Sequence, residues 1–243
     1  MSTTTAKSHL SRAAFWRGCK HSAPFVLVVG PFAVLFGVLA TEAGLNVLET
    51  MSFSVVVIAG AAQFTALQLM RDDAPTLIVL LSALAVNLRM AMYSASLTPH
   101  LGAAPLWQRA MIAYVILDQS YACAIVEFEK NKNTRLSERI AYFFGTSAFV
   151  VPAWYGCTYL GAIIGTQVPD SWALDFALPI TFLALMAPML RTRAHLVAAL
   201  VSIVISLLCA GFPYSLGLLV AGVLAMLAGA QTEVYLMSRK VQE

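Results

Sequence analysis

PTLIVLLSALAVNLRMAMYSASL, residues Pro75 to Leu97, holds a single charge, Arg89, in an otherwise apolar and small-residue run. A helix needs about 20 such residues to cross the hydrocarbon core of a bilayer. Lipid also demands that a spanning segment satisfy its own backbone polar groups, which a helix does. Similar runs recur along the chain and can be cut at 24–40, 51–70, 75–97, 108–127, 139–163, 174–190, 194–210 and 214–236. Little else fits in 243 residues, so no soluble domain is expected.

Composition agrees. Hydrophobic residues make up 60% of the chain and charged residues 11%, against roughly 25% charged in a soluble domain. Intrinsic disorder needs the opposite balance. The expected fold is therefore all-α: a polytopic integral membrane protein with about eight transmembrane helices, some broken or kinked, and both termini cytoplasmic. Seven spans is the alternative, because the sixth and seventh runs are short and would also suit one re-entrant pair. The expected organisation is a basic cytoplasmic or interfacial segment over 1–23, one transmembrane domain over 24–236, and a cytoplasmic tail over 237–243. Leu10, Phe15 and Trp16 among basic residues suit a lead-in lying on the inner surface. The basic start also allows a cleaved signal peptide, but Gly30, Pro31 and Gly37 interrupt the apolar run that one requires.

The basic residues offer a second line of argument, since they concentrate in cytoplasmic loops. Lys7, Arg12, Arg17 and Lys20 precede the first run, Arg71 follows the second, and Lys130, Lys132, Arg135 and Arg139 follow the fourth. Arg191 and Arg193 follow the sixth, and Arg239 and Lys240 close the chain. Assigning alternate loops to the cytoplasm places thirteen of the fifteen basic residues there. Arg109, at an outer boundary, and Arg89, inside a span, are the two left over.

Only Arg89 and Asp118 lie well inside an apolar run. A charge at the bilayer centre costs at least ~2.5–3.5 kcal/mol on insertion scales and so needs a partner. Read as consecutive antiparallel helices, the two runs place Arg89 ~12 Å and Asp118 ~15 Å below one face at 1.5 Å per residue, close enough in depth to pair. Such a pair either docks two helices or lines a polar cavity. In the cavity reading the Arg89 guanidinium holds a carboxylate bidentately, and Asp118 holds an ammonium group or carries a proton. Asn87, Tyr93, Ser94, Gln119, Ser120 and Tyr121 surround them in sequence, and a fixed cation beside a fixed carboxylate suits a zwitterion. Gln63 is a second polar point, after Ala59-Gly60-Ala61-Ala62. Those small residues either let helices approach or mark a break at Gly60 that frees carbonyls for a substrate or ion. Gly30-Pro31, Pro152, Pro179 and Pro188 mark further kinks or breaks. Gly161-x-x-x-Gly165 and the stripe Ala221, Ala225, Gly229 suit close helix packing, within the chain or against a partner.

Catalytic and cofactor signatures are missing. Cys19, Cys123, Cys157 and Cys209 form no metal or disulfide pattern, and the four histidines are scattered. There is no P-loop, GxSxG or HExxH, and the basic residues sit at membrane edges rather than on a nucleic-acid face. No cofactor, metal or nucleic acid is expected.

Pro31-Phe32-x3-Phe36-Gly37-x2-Ala40, Glu49-Thr50-Met51-Ser52 and Ala59-Gly60-Ala61-Ala62-Gln63-Phe64 resemble the opening of AzlC-type permeases. The resemblance continues through Val86-Asn87-Leu88-Arg89, Tyr93-Ser94-Ala95-Ser96-Leu97, Leu117-Asp118 and Tyr121-Ala122. These permeases are the large subunits of branched-chain amino-acid exporters. The resemblance implies export of Val, Leu, Ile and often Met across the bacterial inner membrane, driven by the proton gradient, together with a small four-span partner of the AzlD type. The family usually reads Asp-Glu where this chain has Asp118-Gln119, which leaves Asp118 as the candidate proton carrier. Arg89, Asp118, Asn87, Gln63, Tyr93, Gln119 and Gly60 are the expected substrate-binding residues. Two alternatives stay open: a non-transporting scaffold subunit, and a transporter of another small zwitterion or carboxylate.

Overall fold

The computed structural model describes residues 2–167, 183, 190, 192–209, 211 and 216–242. The expected run 174–190, with Pro179 and Pro188, lies outside the described residues apart from 183 and 190, as does Arg191. The described residues are all-helical, with no strands. Four helical stretches are long and apolar enough to cross a membrane: Leu10–Glu42, Thr76–Leu101, Leu136–Gly165 and Val220–Ser238. The chain divides into two compact units, one of Met1–Phe64 with Val86–Pro169 and one of Thr65–Ala85 with Asp170–Glu243.

The first unit is built along helix α8 (Leu136–Gly165). Helix α1 (Ser2–Ser22) passes through a short 3-10 turn at Ala23–Phe25 into α2 (Val26–Glu42), and both lie against α8. Glycines permit this. A methyl group added at Gly18 or Gly145 would strike the facing backbone at Tyr142 or Phe15, and one at Gly37 or Gly161 would strike Thr158 or Val34. Where the approach is backbone to backbone, dispersion contacts replace the hydrophobic drive that lipid cannot supply. Gly161-x-x-x-Gly165 therefore packs within the chain, against Val34, Val38 and Thr41. The pairings rise together, from Gly18 with Tyr142 to Gly37 with Thr158, so α1–α2 and α8 run parallel. Pro31 and Pro152 lie inside α2 and α8, which continue through them without a break.

Runs 51–70 and 108–127 behave differently. The first is α3 (Val47–Val56) and α4 (Gly60–Arg71), with an unwound segment at 57–59. An Asn46–Glu49 capping box starts α3, satisfying its free amides at entry. Gln63 Nε2 donates to Ser54 Oγ at 3.1 Å, and Phe53 and Phe64 both pack on Phe36. Nine residues of continuous helix would set Gln63 and Ser54 ~13 Å apart along the axis, so the chain turns back at the break. The second run is α6 (Leu106–Tyr114) and α7 (Asp118–Lys130), unwound at 115–117. Helix α5 (Thr76–Leu101) meets α7 in the order Arg89–Asp118, Ser96–Tyr121, His100–Phe128. That order is parallel, which corrects the antiparallel arrangement expected from the charge pattern. Arg109 and Ile112 face Gly102 and Thr98 across a small cavity of about 70 Å³, so α6 runs against α5 and α7 returns beside it.

Both runs are thus helical hairpins that turn back at a break, rather than the single helices expected of them. They enter from opposite ends of α8. Thr41, near the end of α2 and so near the start of α3, packs on Gly165. Phe128, near the end of α7, packs on Tyr142 at the other end of α8, where Arg17 also pairs with Glu127 at 3.4 Å. In the second unit, α9 (Arg193–Leu208) and α10 (Leu216–Gln242) pack antiparallel, Gly217 against Cys209 and Gly229 against Ala198. The stripe Ala221, Ala225, Gly229 is filled by this contact within the chain, with Ala221 and Ala225 buried.

Candidate functional site

Asp118 is the first residue of α7, immediately after the unwound Val115–Ile116–Leu117. Ser120 holds the turn: its Oγ accepts from the Leu117 amide at 2.8 Å and faces the Leu117 carbonyl at 3.0 Å. Ser147 of α8 donates to the Val115 carbonyl at 3.2 Å, satisfying an acceptor that the break released. A carboxylate at a helix N-terminus is favoured by the free amides and the dipole there. Arg89 Nη1 lies 3.0 Å from Asp118 Oδ2, and the Tyr93 hydroxyl donates to Asp118 Oδ1 at 2.9 Å. The Tyr93 ring stacks on Tyr121 at 4.1 Å, and Tyr121 in turn shares a 3.1 Å hydrogen bond with Ser96. The carboxylate is thereby fixed by one cation and one phenol.

The pair is not sealed. The Arg89 and Asp118 side chains are 27% and 39% exposed. Arg89 spends Nη1 on the pair, while its Nε is buried without a hydrogen-bond partner. The guanidinium therefore keeps donors that the pair does not use, the buried Nε among them.

The structure brings Arg89, Tyr93 and Asp118 together, with Tyr121 behind them. Asn87 lies two residues from Arg89 on α5, a spacing that turns it to another face, and its Oδ1 is buried without a partner. Gln119 is half-buried beside Asp118 on α7. Gln63 and Gly60 belong to the other hairpin. Gly60 begins α4, and a methyl group added there would meet Phe32 and Trp154 at 2.8 Å. Gln63 is fully buried against Ser54.

The residues that connect the two tips carried no signal in the sequence. Tyr114, the last residue of α6, donates its hydroxyl to the Val55 carbonyl at 2.7 Å and lies 3.0 Å from the Tyr155 hydroxyl of α8. A tyrosine at the end of an apolar run reads equally well as an interfacial anchor. Ser54, Trp154 and Thr158 were likewise unmarked, and Thr50 entered only within Glu49-Thr50-Met51-Ser52, since a hydroxyl or indole in a span reads as ordinary packing. The start of α7 did leave a trace: Asp118-Gln119-Ser120 is a polar, acid-first turn after an apolar stretch, which is how helices begin.

Membrane-length helices, two helices broken at mid-length and one charge pair at a break define a polytopic membrane protein with a polar centre. The family model described as AzlC protein matches residues 24–168, which covers both hairpins and α8. The chain belongs to the AzlC family. It is similar to the "Inner membrane protein YgaZ" of Escherichia coli (strain K12), 29% identical over 206 residues that cover 82% of this chain and 83% of the relative. An "Uncharacterized membrane protein" of Archaeoglobus fulgidus is 32% identical over 199 residues, covering 78% and 82% of the two chains. A protein of the same description from Helicobacter pylori (strain ATCC 700392 / 26695) is 25% identical over 217 residues, covering 88% and 93%. No solved structure matches. The chain is a multi-pass protein of the inner (plasma) membrane.

Proposed function

We propose that this chain is a secondary transporter that exports the branched-chain amino acids Val, Leu and Ile, and Met besides, as the large subunit of a two-component permease. The observation that carries the reading is the partly exposed Arg89–Asp118 pair at the α6–α7 break. Discontinuous helices with their ends at mid-membrane suit substrate and ion sites, because the freed backbone groups and the helix dipoles face the solute. Arg89 takes the substrate carboxylate, Asp118 takes its ammonium group or the coupling proton, and Tyr93 orients the Asp118 carboxylate. The apolar side chain of the substrate needs only an apolar wall, which an all-helical membrane protein has in abundance. Tips that enter from opposite ends of α8 support alternating access, each able to open one side. A small four-span subunit of the AzlD type completes the assembly, and both termini are cytoplasmic.

The test is efflux of labelled Val, Leu and Met from proteoliposomes holding this chain with its small partner. Arg89→Lys should lower efflux tenfold or more at normal expression, because a point charge does not replace a planar fork. Unimpaired efflux by Arg89→Lys refutes the substrate role of Arg89. If a double neutral variant of Arg89 and Asp118 folds and leaves efflux unchanged, the pair only docks helices, as buried pairs elsewhere can.

A further inference from the structure

The α3–α4 hairpin contains a polar cluster that the charge pair does not explain. Thr50, Ser54, Gln63 and Thr158 are all fully buried. Thr50 and Ser54 are one turn apart on α3, Gln63 faces them from α4, and Thr158 is one turn beyond Trp154 on α8, which packs on α3. The aromatic rings of Phe36, Phe53, Phe64 and Trp154 close around this region. Gln63 points its amide nitrogen at Ser54, so the carboxamide orientation is set and Oε1 faces elsewhere. Thr50 Oγ1, Gln63 Oε1, Thr158 Oγ1 and Trp154 Nε1 are buried with no hydrogen-bond partner. A buried polar atom left unpaired costs about 1–3 kcal/mol, and these four lie on the hairpin and on the turn of α8 from Trp154 to Thr158, the helix that packs on α3. Three of the four are oxygens. The break adds backbone: residues 57–59 are unwound, and of their carbonyls that of Ala59 accepts from the Gln63 amide.

We propose that the α3–α4 hairpin is a binding site for a dehydrated alkali cation, Na⁺ or K⁺, held by Thr50, Gln63 and Thr158 with carbonyls of the unwound 57–59 segment. The ligand chemistry selects the class. Every donor atom offered is a neutral hard oxygen, and no carboxylate is present to offset a divalent charge. Among the described residues no group of His, Cys, Asp or Glu could hold a transition metal. The carbonyl end of α3 and the amide end of α4 meet at the tip, so their dipoles oppose and the sign of the ligand is set by the oxygens. Unwound carbonyls beside hydroxyls at a mid-membrane break are the setting in which transporters hold monovalent ions.

Thermal unfolding of the purified full chain, with no amino acid present, tests this apart from any transport reading. The salts are NaCl, KCl and choline chloride at matched ionic strength, up to about 200 mM. The expected result is a rise in the unfolding midpoint with Na⁺ or K⁺ over choline that saturates, as binding to the folded state requires. Thr50→Val and Thr158→Val, close in shape, should fold in choline and lose the rise, while Thr50→Ser should keep it. Gln63→Leu should also lose it, and the threonine variants decide the matter if that chain does not fold. Identical unfolding of the wild type in all three salts overturns the proposal. So does a full rise in both valine variants.

Discussion

The parallel run of α5 beside α7 can be tested by distance. We introduce His100→Cys and Phe128→Cys together in a chain whose Cys19, Cys123, Cys157 and Cys209 are replaced by alanine. The rings of His100 and Phe128 have centroids 5.5 Å apart. Suppose instead that 108–127 crossed the membrane antiparallel to α5 with the Arg89–Asp118 pair kept. His100 would then lie ~16 Å to one side of the pair and Phe128 ~15 Å to the other, about 30 Å apart in all. A bismaleimide whose reach is under half that distance separates the two cases. A protease site at exposed Ala103, in the loop between α5 and α6, reports the link: the cut chain stays one band on a denaturing gel only when residues 100 and 128 are joined. The companion pair Arg89→Cys with Asp118→Cys is close in either geometry and controls for folding and access. High-yield linking of 100 to 128 is expected. Linking of 89 to 118 without linking of 100 to 128 would refute the hairpin.

Three further outcomes follow from the same geometry. Asp118→Asn removes the carboxylate that titrates in the proposed cycle, so the pH profile of efflux should flatten; an unchanged profile would make Asp118 structural. Gly161→Ala should lower the unfolding midpoint, because the added methyl strikes Val34 backbone and overpacking of this kind costs about 1–3 kcal/mol. Gly156→Ala, with nothing within 4 Å, should be neutral or raise stability by up to about 1 kcal/mol; equal effects at the two positions in thermal melts would discredit the glycine-mediated contact. Tyr93→Phe keeps the stack on Tyr121 and removes only the bond to Asp118. A hydrogen bond to a charged group is worth about 1.5–3 kcal/mol, so a cycle combining Tyr93→Phe with Asp118→Ala, which leaves no acceptor, should show coupling of that size, and near-zero coupling would refute the contact.

Much of this was legible from residues alone, and the part that was not has a physical cause. Helical membrane class follows from the scarcity of charge, and the pairing of Arg89 with Asp118 from the cost of leaving either alone. The break before Gly60 was flagged by small residues. The break at Val115–Ile116–Leu117 was not, because three apolar residues look the same to hydropathy whether the helix continues or turns. Charge counting could not help either. If every crossing between the two breaks is reversed, Arg71 and Arg109 exchange sides and thirteen basic residues still fall in the cytoplasm. The pairing of Arg89 with Asp118 came out right although the helix direction did not, since a chain that turns back at the break brings Asp118 beside Arg89 from either direction. Thr50 and Thr158 were invisible because their interest lies in partners they lack, which only coordinates reveal.

The contact of Tyr114 with Val55 has an electrical consequence. Two hairpins that meet tip to tip replace a full membrane thickness of packed protein with a barrier a few residues deep. Wherever water fills the approach to a tip, the membrane voltage falls mainly across that thin remainder. A unit charge that moves past it gains or loses close to the full ~2.3 kcal/mol per 100 mV while travelling only a few ångströms. A single phenol hydroxyl bonded to one carbonyl would therefore stand where that field is steepest.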